Sequence, residues 1–127
     1  MRYFLLPTIL VTACAVSAGT QTGPGAVALV CPENPQPAVA RLCTSLADAL
    51  REDGYQLDAD AAPVRLLLEA ESPRPASLRA RLVVERDGAR QTGEQGEVSV
   101  VDRRDIPPDQ IDSFARALLA HTPLPRP

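Results

Sequence analysis

The chain has 127 residues, a length that fits one domain and leaves no room for two. Its 13 basic residues, all arginine, stand against 16 acidic ones for a net charge of −3, and no basic stripe occurs, which argues against nucleic acid or an anionic membrane surface as a partner. With two Phe, two Tyr and no Trp, a core has to be built from Leu, Val and Ala, and an apolar content of 45% suffices for a globular one.

Residues 1–18 read as an export signal. Arg2 supplies the positive start, Tyr3 to Val11 is apolar, and small residues follow. The apolar run is too short for a membrane span of ~20 residues. Two processing routes compete. Val16-Ser17-Ala18 suits ordinary signal peptidase, which would leave Gly19 first. Val11-Thr12-Ala13-Cys14 resembles the lipobox of bacterial lipoproteins, in which Cys14 would carry the lipid and become the first residue. The lipoprotein route is the reading adopted, with ordinary cleavage as its alternative. Residues 19–25 are small and polar, as a flexible tether would be.

One domain is expected over residues 26–122. Ala26 to Cys31 is a short apolar run that reads as a buried strand. Pro35 and Pro37 suit the start of a helix that runs to about Asp53. Val39, Leu42, Cys43, Leu46 and Leu50 form its apolar stripe, and Gly54 is placed just past its end. Cys31 and Cys43 make an even pair for an oxidising compartment. Cys43 on the stripe faces the sheet that holds Cys31, so a strand-to-helix disulfide is expected; two free buried thiols are the alternative.

Tyr55 to Leu57 is a short strand and residues 58–63 are a loop. Asp58 and Asp60 have calcium-loop spacing, but the glycine and distal Glu of such loops are missing, so a solvated turn is preferred. Residues 64–71 and 77–85 alternate with period two. Leu66, Leu68, Leu78, Ala80, Leu82 and Val84 belong to one face. Arg65, Leu67, Glu69, Glu71, Arg79, Arg81, Val83 and Glu85 belong to the other. Asp87-Gly88 marks a hairpin, and Gln91 to Val101 returns as the last strand. A two-residue loop would set Leu78 opposite Glu97, placing charge on the core face. A three-residue loop, Arg86 to Gly88, sets Leu78 opposite Gly96 and is expected instead; a bulge at Gly93 or Gly96 would serve equally. Pro107 and Pro108 open a second helix with the stripe Ile111, Phe114, Ala115 and Leu118. Residues 123–127 are expected to be a disordered tail.

The fold class is therefore α+β, a mixed, mostly antiparallel sheet in the order β-α-β-β-β-β-α with two helices on one face. The run AVALVC, the helix ending LADALREDGYQL, the strand VRLLLEAE, the hairpin at RDG and the closing IDSFARALLAHT together resemble the small α/β domains of bacterial envelope accessory proteins. The amino-terminal domain of TolB and the CsgG-like curli-secretion lipoproteins are examples. The likeness covers residues 26–122 and implies a non-catalytic module that contacts other envelope proteins. The propeller and the pore-forming segment of those proteins have no counterpart in this sequence.

Catalytic equipment is sparse. His121 is the sole histidine and falls in the last turn of the second helix, where it can interact with the helix carboxyl end. The cysteine spacing is no metal motif, and Gly19, Gly23 and Gly25 form no phosphate loop, so no cofactor or metal is expected. Asp58/Asp60 or Glu69/Glu71 could serve a small secreted carboxylate-based hydrolase. Arginine partners are available to Glu69 and Glu71, which makes an ion-paired surface the simpler reading. The open sheet face is the remaining candidate: Leu67, Arg79, Arg81 and Val83 place apolar and guanidinium groups together as protein interfaces do. The expected function is a non-catalytic envelope accessory module tethered at Cys14. A soluble periplasmic ligand binder or inhibitor is the alternative, and the hydrolase a further one.

Overall fold

The computed structural model describes residues 25–57 and 62–126. The elements are β1 (Ala26–Val30), α1 (Pro37–Glu52), β2 (Gln56–Leu57), β3 (Val64–Arg74), β4 (Ser77–Arg86), β5 (Ala89–Thr92), β6 (Gly96–Ser99) and α2 (Pro108–Ala120). The fold is α+β. Its sheet runs β2-β1-β3-β4-β5, with β6 also paired to β4. β1 is parallel to both neighbours, and the other pairings are antiparallel.

Local chemistry sets the helix boundaries. Pro37 and Pro108 occupy first-turn positions, where a missing N–H breaks no bond. Gly54, with φ of 95°, turns the chain out of α1 in the left-handed region that glycine tolerates. Val39, Leu42, Leu46 and Leu50 of α1 are all buried, as are Ile111, Phe114, Ala115 and Leu118 of α2. Both stripes lie on the sheet face formed by Leu66, Leu68, Leu78, Ala80, Leu82 and Val84. The core is aliphatic apart from Phe114.

Cys31 and Cys43 are joined by a disulfide with Cα atoms 6.2 Å apart, inside the range such bridges span. It links the exit of β1 to the middle of α1. The two cysteines lie at the border of the core rather than in its centre.

The hairpin differs from expectation. Its loop has two residues: Arg86 pairs with Ala89, and Asp87 and Gly88 both have positive φ, 52° and 77°. That geometry matches the right-handed twist of the flanking strands, which a three-residue loop has no need to replace. The register correction comes later. Gly93 N–H donates to Leu82 O at 2.7 Å, while Ala80 already pairs with Gly96. Glu94 and Gln95 therefore stand together opposite Arg81, a one-residue bulge that splits the last strand into β5 and β6. Beyond it Leu78 faces Val98, and Glu97 faces Arg79 on the other side of the sheet.

The carboxyl terminus also departs from expectation. Leu124 packs against the core, and Tyr55 Oη donates to Pro125 O at 2.7 Å. A leucine and a tyrosine hydroxyl thus hold a segment whose proline-rich composition suggested disorder.

Gly96 lies under Phe114: a Cβ added there would sit 2.8 Å from Phe114 Cε1. Gly96→Ala is therefore expected to cost about 1–3 kcal/mol through forced displacement of the ring, measured as a lower urea midpoint. Replacing both cysteines by serine is expected to cost about 3 kcal/mol, the loop-closure value for a bridge of this span. Equal urea midpoints for the oxidised protein and the double variant would remove the bridge from the stability of the fold.

Candidate functional site

Strand register gathers the side chains of the open sheet face into rows. Val30, Leu67 and Val83 form an apolar row across three strands, and Thr92 of β5 continues it. On one side of it Glu85 is held by Arg65 at 3.4 Å and by Arg90 at 3.5 Å. On the other, Arg81 meets Glu69 at 2.8 Å, and in the next row Arg79 meets Glu71 at 3.0 Å. Arg79 also approaches Glu97 of β6 at 3.8 Å. These pairs are directly opposed across the strands, the arrangement in which unlike charges attract best on a sheet.

The expected partner residues do not share one environment. Val83 is 1% exposed, so it offers nothing to a partner. It is a short side chain set between Arg81 and Glu85 on its own strand and opposite Leu67. Leu67 is half-buried. Arg79 and Arg81 remain accessible, at 42% and 45%. With Glu69, Glu71 and Gln95 they line a shallow concavity of about 360 Å³. Gln95 reaches it because the bulge adds a residue there. The carboxylates singled out as a possible acid–base pair are thus adjacent on β3, and each is engaged by a guanidinium from β4.

Cys14 and the Asp58/Asp60 pair lie outside the described residues. His121 closes α2 at its carboxyl end and is exposed. Among the described residues no group of three His, Cys, Asp or Glu is placed to hold a metal ion.

One polar network was absent from the sequence reading. Ser45, on the buried face of α1, donates from Oγ to Asp112 Oδ1 at 2.5 Å. Arg41 Nη2 reaches the same carboxylate at 3.3 Å and 3.4 Å. A turn or more further along, Arg116 of α2 pairs with Glu52 of α1. The Ser45 hydroxyl, and after it the Arg41 charge, hold the Asp112 carboxyl below the ordinary carboxylate range, against an opposing effect of desolvation. The only hint in the sequence is a serine at a stripe position between Leu42 and Ala49.

This network makes a pH prediction. A carboxyl with a lower pKa in the folded state contributes stability that is complete above its unfolded pKa of about 3.9 and is lost as the pH falls through the folded value. Asp112→Asn should therefore flatten the acid limb of a stability–pH profile below about pH 4. The readout is the urea midpoint at several pH values, and an unchanged acid limb would leave Asp112 no such role.

No protein-family model matches the chain, and neither a curated protein nor a solved structure matches it.

Proposed function

We propose that the chain works outside the bacterial inner membrane as a non-catalytic accessory module, tethered by lipid at Cys14. The observation that carries this reading is the Cys31–Cys43 disulfide, since such bridges persist in exported proteins and are rare in a reducing cytosol. The Val11–Cys14 pattern and the small-residue stretch at 19–25 support the tether. The likeness to envelope accessory domains points the same way.

Partner contact falls to Leu67, Arg79 and Arg81, the accessible part of the open face. Each guanidinium already has a carboxylate partner, so a binding protein would exchange one ion pair for another at little net cost. Such charges set orientation and encounter rate more than affinity. The partner class is another envelope protein with an acidic contact strip.

The test is the intact mass of the protein from its native host, with and without reduction and alkylation. The expected result is a chain that begins at Cys14 with added acyl groups and is alkylated only after reduction. A chain that begins at Gly19 overturns the tether and favours a soluble periplasmic binder. Alkylation without reduction overturns the oxidising compartment.

A further inference from the structure

A second cavity lies away from the open face, at one end of the domain. It is a groove of about 640 Å³. Its walls are the entrance of α1 that follows β1, Gln36 to Ala38, and the carboxyl end of β3 with the turn after it, Ser72 to Pro75, and the start of α2 closes it. Through α1, β1 connects to β2 on one side, while β3 pairs on the other. In open α/β sheets, a crevice outside the carboxyl ends of parallel strands, where successive connections diverge, is where ligands bind.

The lining has a defined chemistry. Ile106 and Ile111, both 5% exposed or less, form an apolar floor. Four of the 13 prolines, Pro37, Pro73, Pro75 and Pro108, stand in the walls. Their fixed φ leaves little backbone freedom to lose on binding, as a pre-formed site requires. The two walls are tied by Ser72 N–H, which donates to Gln36 Oε1 at 2.9 Å. The Ser72 Oγ lies 2.8 Å from both Arg74 O and Ser77 O, and its one hydroxyl proton is placed between these two acceptors, which fixes the turn that carries Arg74.

Arg41, Arg74 and Asp105 are the charged residues of its lining. With Asp112 paired to Arg41, the charges around the groove balance, and Arg74 is the guanidinium left for a ligand. Arg41 is oriented by Asp112 at 3.3 Å. Arg74 makes no ion pair with another described residue and is exposed at the rim.

We propose that this groove binds a small amphiphilic anion, an apolar body seated on Ile106 and Ile111 with its carboxylate or sulfonate held by Arg74. The volume suits such a molecule, and guanidinium is the side chain that matches a planar anion best. The inference holds whether the chain is tethered or free.

The test is a fluorescence titration with two reporters of like shape, anilinonaphthalene sulfonate and the uncharged phenylnaphthylamine. Three proteins are compared: the natural chain, Arg74→Glu and Ala38→Phe, with urea midpoints to confirm folding. The expected result is saturable one-site binding of the sulfonate, weakened about tenfold by Arg74→Glu. The neutral reporter should respond little to that change, and Ala38→Phe should weaken both by filling the groove. Absence of saturable binding, an unchanged sulfonate affinity in Arg74→Glu, or indifference of both reporters to Ala38→Phe would each overturn the proposal.

Discussion

Leu66, Leu68, Leu78, Ala80, Leu82 and Val84 are all buried on one face of β3 and β4, so these strands can pair only at offsets that keep the two faces separate. A slip of one residue would expose this set and bury Arg65, Glu69, Arg79 and Arg81. Register is thus the constraint from which the rest follows. It aligns Glu69 with Arg81 and Glu71 with Arg79, producing the ion-paired ladder as a by-product of core formation. It also makes the bulge at Glu94 and Gln95 necessary. A two-residue turn suits the twist of β4 and β5 but would carry Glu97 to the helix side, and the extra residue returns it to the open side.

The helices are fixed against this sheet by different means. Aliphatic burial holds both stripes but discriminates poorly among neighbouring crossing positions, because Leu and Val contacts are non-directional. Directional contacts supply the rest. The disulfide pins α1 to the end of β1, and Asp112 joins α2 to Arg41 and Ser45 of α1. The bond between Ser72 and Gln36 then ties the β3–β4 turn to the entrance of α1. Gln36, Ser72 and Arg41, which make two of these attachments, line the end groove, so that part of the molecule is among its most restrained.

Two surfaces therefore differ in what they can offer a partner. The open sheet face satisfies its own charges, and its central valine is covered. Its usefulness rests on orientation and on exchange of ion pairs. The end groove combines an apolar floor, rigid proline walls and an arginine with no described ion-pair partner, a combination that keeps unsatisfied binding capacity for something outside the chain. Interaction with an envelope protein and capture of a small anion would use opposite resources of the same domain.

The sequence by itself determined the features that depend on local periodicity and nearest-neighbour chemistry. The stripe of α1, the alternation of β3 and β4, the proline starts of both helices, the Gly54 stop and the pairing of Cys31 with Cys43 were all legible. Each is written in residues within a few turns or a single strand pair of one another. Tertiary structure alone decided where the register correction falls, since a three-residue loop and a later bulge both keep Leu78 on the core face, opposite Gly96 in the first case and opposite Val98 in the second, and differ in how the turn fits strand twist. It alone covered Val83, whose face was correctly assigned but whose accessibility depends on the side chains that surround it. It alone brought Asp112 to Ser45, Tyr55 to Pro125, and Arg74 to the same groove as Ile106. Those contacts join segments distant along the chain, and their geometry is set by how helices cross the sheet, which no local pattern encodes.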